Sequence, residues 1–243
     1  MNLCTLKAWQ AAQLLADGSI TARELTKAYT TQNDSFNAFI TRTSEFALRT
    51  AEHVDKLRAA HEKLPPLAGV PIAVKDNICV KGYPCTCASK MLAHFKPPYD
   101  ATAAVRIKSN LMPILGKTNM DEFAMGSTGE TSFFGATDNP KFSGYSPGGS
   151  SSGSAAAVAG GLAPFAIGSD TGGSVRQPAA HCGLVGFKPS FGAISRFGLV
   201  AFASSLDQIG ILARDVRDIE LLTHVLFGSD VNDQTSIEIK HVK

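Results

Sequence analysis

Residues 143–176 read SGYSPGGSSSGSAAAVAGGLAPFAIGSDTGGSVR, and the rest of the chain is organised around them. Two Gly-Gly-Ser turns, Gly148–Ser150 and Gly172–Ser174, flank a run of small residues and a short apolar segment. Glycine pairs let the backbone adopt positive φ and approach a ligand closely, so such a turn can point several N–H groups at one atom. A flexible Gly/Ser linker would lack the apolar runs 155–159 and 164–167. The stretch therefore predicts two folded turns, each with a serine hydroxyl, joined by a helix and a strand.

Helices and strands are predicted to alternate on both sides of this stretch. C-terminally we predict helices at 152–159, after Ser174 and at 215–227, with strands at 164–167 and 184–187. N-terminally we predict a helix at 6–17, a helix that starts at Thr21 with Glu24 completing a capping box, a helix capped by Ser44 that runs to Ala60, and a helix at 102–109. Strands are predicted at 37–41 and 67–74, with an apolar run at 111–115. Such alternation indicates an α/β fold with a mixed central sheet covered by helices. We expect one domain overall, with residues 1–62 as a helical scaffold and 63–243 as the catalytic core.

Composition excludes several classes of function. The 243 residues are 44% hydrophobic, with a net charge of +2 and 18% charged residues, so the chain can bury a core but has no basic excess for gripping nucleic acid directly. No apolar run approaches the length of a membrane span. Five cysteines and an N-terminus without a signal pattern predict a reducing, cytosol-like compartment. The six histidines are dispersed and Cys85-Thr-Cys87 is isolated, so we predict no metal site.

Nucleotide-binding fingerprints are absent from this chain. Gly116-Lys117-Thr118 resembles the end of a phosphate-binding loop, but Leu111 stands where that loop needs its first glycine. No two glycines are separated by a single residue, as a dinucleotide fingerprint requires. We therefore expect no nucleotide bound by this chain.

Lys75 follows the apolar run 67–74 directly and is itself followed by Asp76 and Asn77. A lysine at a strand end ordinarily extends to water. A desolvated lysine would instead have a lowered pKa and could act as a neutral base. The sequence leaves both interpretations open.

Serine becomes a nucleophile only beside a base, and three arrangements compete. Gly149–Gly153 matches the G-x-S-x-G elbow, with Asp207 and His224 downstream, but residues 142–148 are turn-like where an elbow needs a strand. No serine has a lysine three residues later, which excludes a Ser-x-x-Lys site. The third arrangement is a Ser-Ser-Lys relay in which Ser174 attacks, Ser150 passes the proton and Lys75 accepts it. The backbone N–H groups of residues 171–174 would then stabilise the oxyanion.

The segments 69–77, 116–126, 148–150, 168–174 and 198–208 resemble the amidase signature family. Within it, the second and fifth segments are similar to the A subunits of glutamyl-tRNA(Gln)/aspartyl-tRNA(Asn) amidotransferases. The resemblance implies the amidase signature fold, with Lys75 as base, Ser150 as the bridging serine after a cis peptide bond, and Ser174 as the acyl-forming nucleophile. The residues it implies for oxyanion or substrate binding are Thr171, Gly172, Gly173, Met125 and Ser127.

This resemblance also implies an activity and partners. The chain would hydrolyse glutamine and supply ammonia for amidating misacylated Glu-tRNA(Gln) or Asp-tRNA(Asn), together with subunits B and C. It would need no cofactor of its own, because ATP and Mg²⁺ would be used by the partner subunit. We expect contact with tRNA only through the complex, no membrane and no direct DNA contact, in the cytoplasm or an organellar stroma or matrix. The alternatives are a stand-alone amidase and a catalytically incomplete fragment.

The sequence departs from the family pattern in two ways. Ser152 stands where the family usually has glycine, which we expect to be tolerated if its φ is negative. The match stops within residues 230–236, a region that lies near mid-chain in family members. We therefore expect a fold incomplete at its C-terminus, with an exposed sheet face and low stability.

Overall fold

The computed structural model describes residues 1–239 of the chain. Its α-helices are α1 Ala8–Ala16, α2 Ala22–Thr30, α3 Ser44–Ala59, α4 Thr102–Ser109, α5 Ser152–Ala159, α6 Arg176–His181 and α7 Val216–Leu226. The strands are β1 Phe39–Arg42, β2 Ile72–Lys75, β3 Ile114–Thr118, β4 Phe165–Asp170, β5 Val185–Phe187 and β6 Gln208–Ala213. Short 3-10 turns lie at Leu3–Thr5, Lys90–Leu92 and Glu122–Ala124.

Within the described residues the strands form one six-stranded sheet in the order β1-β3-β2-β4-β6-β5. Strand β2 runs parallel to β3 and β4, whereas the pairs β1–β3, β4–β6 and β5–β6 are antiparallel. The predicted mixed α/β sheet is confirmed. Every residue of β2, β3, β4 and β6 is buried, so the expected exposed sheet face is wrong. Helices α3, α5 and α7 pack on these strands and cover them.

Local signals placed several helices correctly. Helices α4 and α5 occupy the predicted spans, and α2 begins after Thr21. There Glu24 N–H donates to Thr21 Oγ1 (3.0 Å) while the Glu24 carboxylate accepts from Thr21 N–H (2.8 Å), which is the predicted capping box. Gly18 follows α1 with a φ of 77°. These ends are set by neighbours in sequence, so the sequence is enough to find them.

Three elements differ from the predictions. Strand β2 spans only Ile72–Lys75, because residues 67–70 form a turn in which Gly69 has a φ of 87° and Val70 N–H donates to Leu67 O (3.0 Å). Thr43, not Ser44, precedes α3, and its hydroxyl donates to Ile114 O (2.6 Å) instead of capping the helix. Strand β6 was not predicted, since it is decided by pairing with β4 and β5.

One hydrophobic cluster joins the first 62 residues to the rest of the chain. It contains Leu15, Leu25 and Val54 together with Ile72 and Ile211. Strand β1 also belongs to the common sheet. The single domain and its division between residues 62 and 63 stay predictions. Among the described residues no helix combines the length and apolar character needed to cross a membrane.

Candidate active site

The site lies where two parallel neighbouring strands end. Strands β2 and β4 are paired, and their carboxyl ends meet at the same edge of the sheet. Lys75 is the last residue of β2 and Asp170 the last of β4, so each is followed by a loop at this edge. The turn before α5 brings Ser150 to the same place. Three segments far apart in sequence therefore converge.

Lys75 is completely buried, with 0% of its surface exposed. Its Nζ lies 2.8 Å from Ser150 Oγ, 2.8 Å from Ser169 Oγ and 3.4 Å from Ser169 O. Burial lowers the pKa of Lys75 to about 7, although the charges of Asp121 and Asp170 act to raise it. Of the two interpretations left open by the sequence, the structure supports the desolvated lysine. A large fraction of this amine is neutral near pH 7, with a lone pair available to accept a proton.

The turn that carries Ser150 is tightly held. The peptide bond between Gly149 and Ser150 is cis, as the family resemblance implied. Gly149 N–H donates to Gln177 Oε1 (3.1 Å), and Asp121 N–H donates to Ser150 O (3.2 Å). A side chain at position 149 would overlap the Asp121 carboxylate, so only glycine fits there. The Ser150 hydroxyl is thus held against Lys75 by its surroundings.

Ser174 lies on the open side of the site. It is half-buried and lines a cleft of about 320 Å³ together with Ser127, Gly149, Gly172, Gly173 and Gln177. Its carbonyl accepts from Ser151 N–H (3.0 Å), which ties the loop that carries Ser174 to the residue before α5. Among residues 1–239 no hydrogen bond joins the hydroxyls of Ser174 and Ser150. Of the predicted relay, the Lys75–Ser150 contact is present. The predicted Ser150–Ser174 contact would require the Ser174 side chain to move toward Ser150.

The backbone donors predicted for the oxyanion divide into two groups. Gly173 N–H donates to Asp170 Oδ1 (2.8 Å), so this predicted donor is already engaged. Within the described part of the chain, the N–H groups of Thr171, Gly172 and Ser174 have no acceptor. The candidate cradle for an oxyanion therefore consists of the amides of Gly172 and Ser174, which line the cleft, and of Thr171, which is not among the lining residues.

Asp170 shapes this cradle. It is fully buried and accepts from the N–H groups of Gly173 and Val175 and from the Arg176 side chain at 3.0 and 2.9 Å. Burial acts to raise the pKa of Asp170, but the hydrogen bonds from Arg176 and the backbone outweigh it and hold that pKa below its ordinary value. Arg176 holds Asp170 and Gln177 holds Gly149, so the contacts of both residues are those of structural supports.

Asp207 does not belong to a serine–histidine elbow. Its carboxylate accepts from the Thr171 hydroxyl and from the N–H groups of Phe202 and Ala203 (2.8 and 3.0 Å). The Ser152 hydroxyl lies 3.2 Å from Thr137 Oγ1. Ser152 opens helix α5 without a positive φ, which agrees with the expected tolerance of serine at this position.

The two other predicted substrate residues lie differently. Ser127 lines the cleft beside Ser174. Met125 follows the 3-10 turn Glu122–Ala124, is 61% exposed and is absent from the cleft lining.

Sequence reasoning missed Ser169 and Asn77, whose side chains bond to each other (Nδ2 to Oγ, 3.0 Å) beside Lys75. The available signal was that both residues follow closely after the apolar runs 67–74 and 164–167. Lys117, which resembled a phosphate-loop lysine, lies inside buried strand β3 with its Nζ 3.2 Å from Asp76 Oδ1. Cys182 packs in a small apolar cluster with Val175 and Leu212. Among residues 1–239 no group of three or more His, Cys, Asp or Glu side chains is arranged to hold a metal ion.

Comparison with known proteins adds independent information. The family model described as Amidase matches residues 21–243. The chain is 52% identical over 241 residues to the A subunit of glutamyl-tRNA(Gln) amidotransferase of Desulforudis audaxviator (strain MP104C), which covers 98% of this chain and 49% of that protein. The chain thus spans about half the length of the curated relatives it matches.

Solved structures share the same architecture. The A subunit of glutamyl-tRNA(Gln) amidotransferase from Thermotoga maritima superposes with a TM-score of 0.84 at 40% identity, over 99% of this chain and 50% of that one. The peptide amidase PAM, solved with the competitive inhibitor chymostatin, gives a TM-score of 0.88 at 31% identity, over 96% of this chain and 50% of that one.

Proposed function

The chain belongs to the amidase signature family, and on that premise we propose that it is the glutamine-hydrolysing part of a tRNA-dependent amidotransferase. The observation that carries the proposal is the buried Lys75 amine, 2.8 Å from Ser150 Oγ and with its pKa lowered by burial to about 7. A serine site needs such a base before its hydroxyl can attack an amide.

The proposed reaction begins with proton transfer. Neutral Lys75 accepts the proton of Ser150, and Ser150 accepts that of Ser174 as the Ser174 oxygen attacks the side-chain amide carbon of glutamine. The negative charge that develops on the amide oxygen is stabilised by the N–H groups of Thr171, Gly172 and Ser174. Each donor of this kind contributes about 3–4 kcal/mol to lowering the barrier.

Collapse of the tetrahedral intermediate completes the first half of the reaction. The carbon–nitrogen bond breaks, the leaving nitrogen takes the proton held by the relay, and ammonia departs from a glutamyl ester on Ser174. Water then attacks the ester with Lys75 and Ser150 again accepting a proton, which releases glutamate and restores Ser174.

The fate of the ammonia is part of the proposal. Subunits B and C would be the partners, and the partner subunit would use ATP and Mg²⁺ to amidate Glu-tRNA(Gln) or Asp-tRNA(Asn). The net charge of +2 gives this chain little attraction for a polyanion, so the tRNA would be held by the partners. Translation in the cytoplasm, or in an organellar stroma or matrix, would be the setting.

A stand-alone amidase is the second candidate, favoured by the likeness to the peptide amidase PAM. Both candidates use the same relay and differ in what receives the ammonia. Ammonia release that requires neither subunits B and C nor ATP-coupled transamidation would favour the stand-alone enzyme.

The test is the Ser174→Ala variant assayed in the full amidotransferase complex. We expect glutaminase turnover to be lost, while amidation of misacylated tRNA with added ammonium salt continues, because the second reaction bypasses the acyl-enzyme. Turnover equal to that of the unmodified complex would refute the assignment of Ser174.

A further inference from the structure

We propose that Ser169 is a positioning residue that aims the lone pair of Lys75 at Ser150. The inference rests on the proposed function, since it assigns a role within the same relay. Ser169 is part of neither Gly-Gly-Ser turn, and its hydroxyl is buried beside the base.

The hydrogen-bond donors and acceptors around the Lys75 nitrogen determine where its lone pair points. A neutral lysine amine has two N–H groups and one lone pair. Among the described residues, the Lys75 Nζ contacts Ser150 Oγ, Ser169 Oγ and Ser169 O. If the two N–H groups donate to the hydroxyl and carbonyl of Ser169, the lone pair is left facing Ser150. Ser150 is the group whose proton must be accepted.

Ser169 is itself held in place. Asn77 Nδ2 donates to Ser169 Oγ (3.0 Å) and to Val200 O (3.3 Å). Ser169 O also accepts from Ser151 Oγ (3.2 Å). These bonds hold both acceptors toward Lys75 with little freedom to turn, and a base whose rotation is restricted transfers protons more effectively than one that rotates.

Removing the Ser169 hydroxyl should change both the rate and its pH dependence. In Ser169→Ala one Lys75 N–H group loses its nearest acceptor, so the amine can rotate its lone pair away from Ser150. A hydroxyl acceptor stabilises the charged ammonium more than the neutral amine, because hydrogen bonds to charged groups are the stronger ones. Loss of the Ser169 hydroxyl should therefore lower the pKa of the Lys75 amine.

The experiment measures labelling of Ser174 in the 243-residue chain by a fluorophosphonate, a probe that reports serine nucleophilicity without a substrate pocket. Labelling rates are taken from pH 5 to pH 9 for the unmodified chain, Ser169→Ala and Ser169→Thr. The matched control is Ser154→Ala, since Ser154 is an equally buried serine that bonds to Ile167 O (3.1 Å) and Thr118 Oγ1 (2.7 Å) and not to Lys75. Ser174→Ala shows that the label is on Ser174.

We expect Ser169→Ala to label at least about tenfold more slowly at the upper plateau, with its inflection at lower pH. Ser169→Thr should keep the hydroxyl and with it both the rate and the inflection. Ser154→Ala should leave the inflection unchanged. A Ser169→Ala profile that coincides with that of Ser154→Ala overturns the positioning role while leaving the proposed function intact. Absence of labelling in the unmodified chain overturns the positioning role in this chain, whereas the proposed function is decided separately by the Ser174→Ala variant in the full complex.

Discussion

Two fully buried lysines on neighbouring strands have different surroundings. Lys75 on β2 and Lys117 on β3 are both 0% exposed. Lys117 is in register with Val74, and Lys75 with Thr118, so the two side chains leave opposite faces of the sheet. Lys117 meets the carboxylate of Asp76 at 3.2 Å and Pro84 O at 3.2 Å. Among the described residues, the hydrogen-bond partners of the Lys75 amine are two serine hydroxyls and one carbonyl.

The two lysines differ in the charge of the group they contact: a carboxylate for Lys117 and neutral oxygens for Lys75. A buried ammonium beside a carboxylate forms an ion pair that fixes the strand to the loop carrying Pro84. An amine beside hydroxyls has no nearby countercharge in direct contact, so burial lowers its pKa and leaves it able to accept a proton. Burial alone therefore does not identify a candidate base. The charge of the groups that hydrogen-bond to the buried amine must be considered as well.

The largest effects are expected when the same substitution is made at both lysines. Lys75→Met should lower the rate of Ser174 labelling by about 10²–10⁴-fold, the usual contribution of a general base, while the fold persists. Lys117→Met should instead reduce the free energy of unfolding by about 3–5 kcal/mol, because it leaves Asp76 buried without its partner. Fluorophosphonate labelling and urea unfolding measure the two effects.

Near-normal labelling of folded Lys75→Met would contradict the role of Lys75 as base. An unfolded Lys75→Met beside a stable Lys117→Met would reverse the proposed division of roles.

The low pKa of Lys75 should also be visible in the pH dependence of Ser174 labelling and of stability. Labelling should rise with pH through an inflection near 7 and fall as pH drops below it, because the amine must be neutral to accept a proton. The unfolded chain, with a lysine pKa of 10.5, binds more protons than the folded chain between about pH 7 and 10.5, so the stability contribution of Lys75 should increase across that window. Urea unfolding at pH 7 and pH 9, compared with Lys75→Met, measures it. An equal change in both proteins would exclude Lys75 as its source.

The smallest effect is expected at the ion pair between Asp170 and Arg176. The Arg176 side chain is 49% exposed, and the backbone N–H groups on Asp170 remain when the guanidinium is removed. Arg176→Gln should reduce the free energy of unfolding by about 1 kcal/mol and slow labelling by less than tenfold. Arg217→Gln is the matched control, because its pair with Asp215 is 57% exposed on the arginine side and lies at the start of α7. A loss of labelling as large as that of Lys75→Met would give Arg176 a larger role than that of a support.

Sequence reasoning succeeded where neighbours in the chain determine the outcome. The capping box at Thr21 and the spans of α4 and α5 depend on local residues and were predicted correctly. The amidase family was also predicted from its motifs, and the comparisons confirm it.

Contacts between distant segments account for what was missed. The surroundings of Lys75 could not be decided from the chain alone, because Ser150 and Ser169 are 75 and 94 residues away. Strand β6 and the engagement of Gly173 N–H by Asp170 depend on packing that no periodicity reveals. The roles assigned to Ser174, Met125 and Ser127 remain predictions.

The turn at Gly69 has a consequence for insertions and deletions in the gene. A side chain built on Gly69 would lie 2.7 Å from Ala22 Cβ, so this turn is held against α2, three residues before β2 begins. Side chains on a strand alternate with a period of two, so losing one codon between this anchor and Lys75 would move each following residue to the opposite face. The lysine would then leave Ser150 for the side occupied by Lys117, where it would be a second buried cation without a carboxylate of its own.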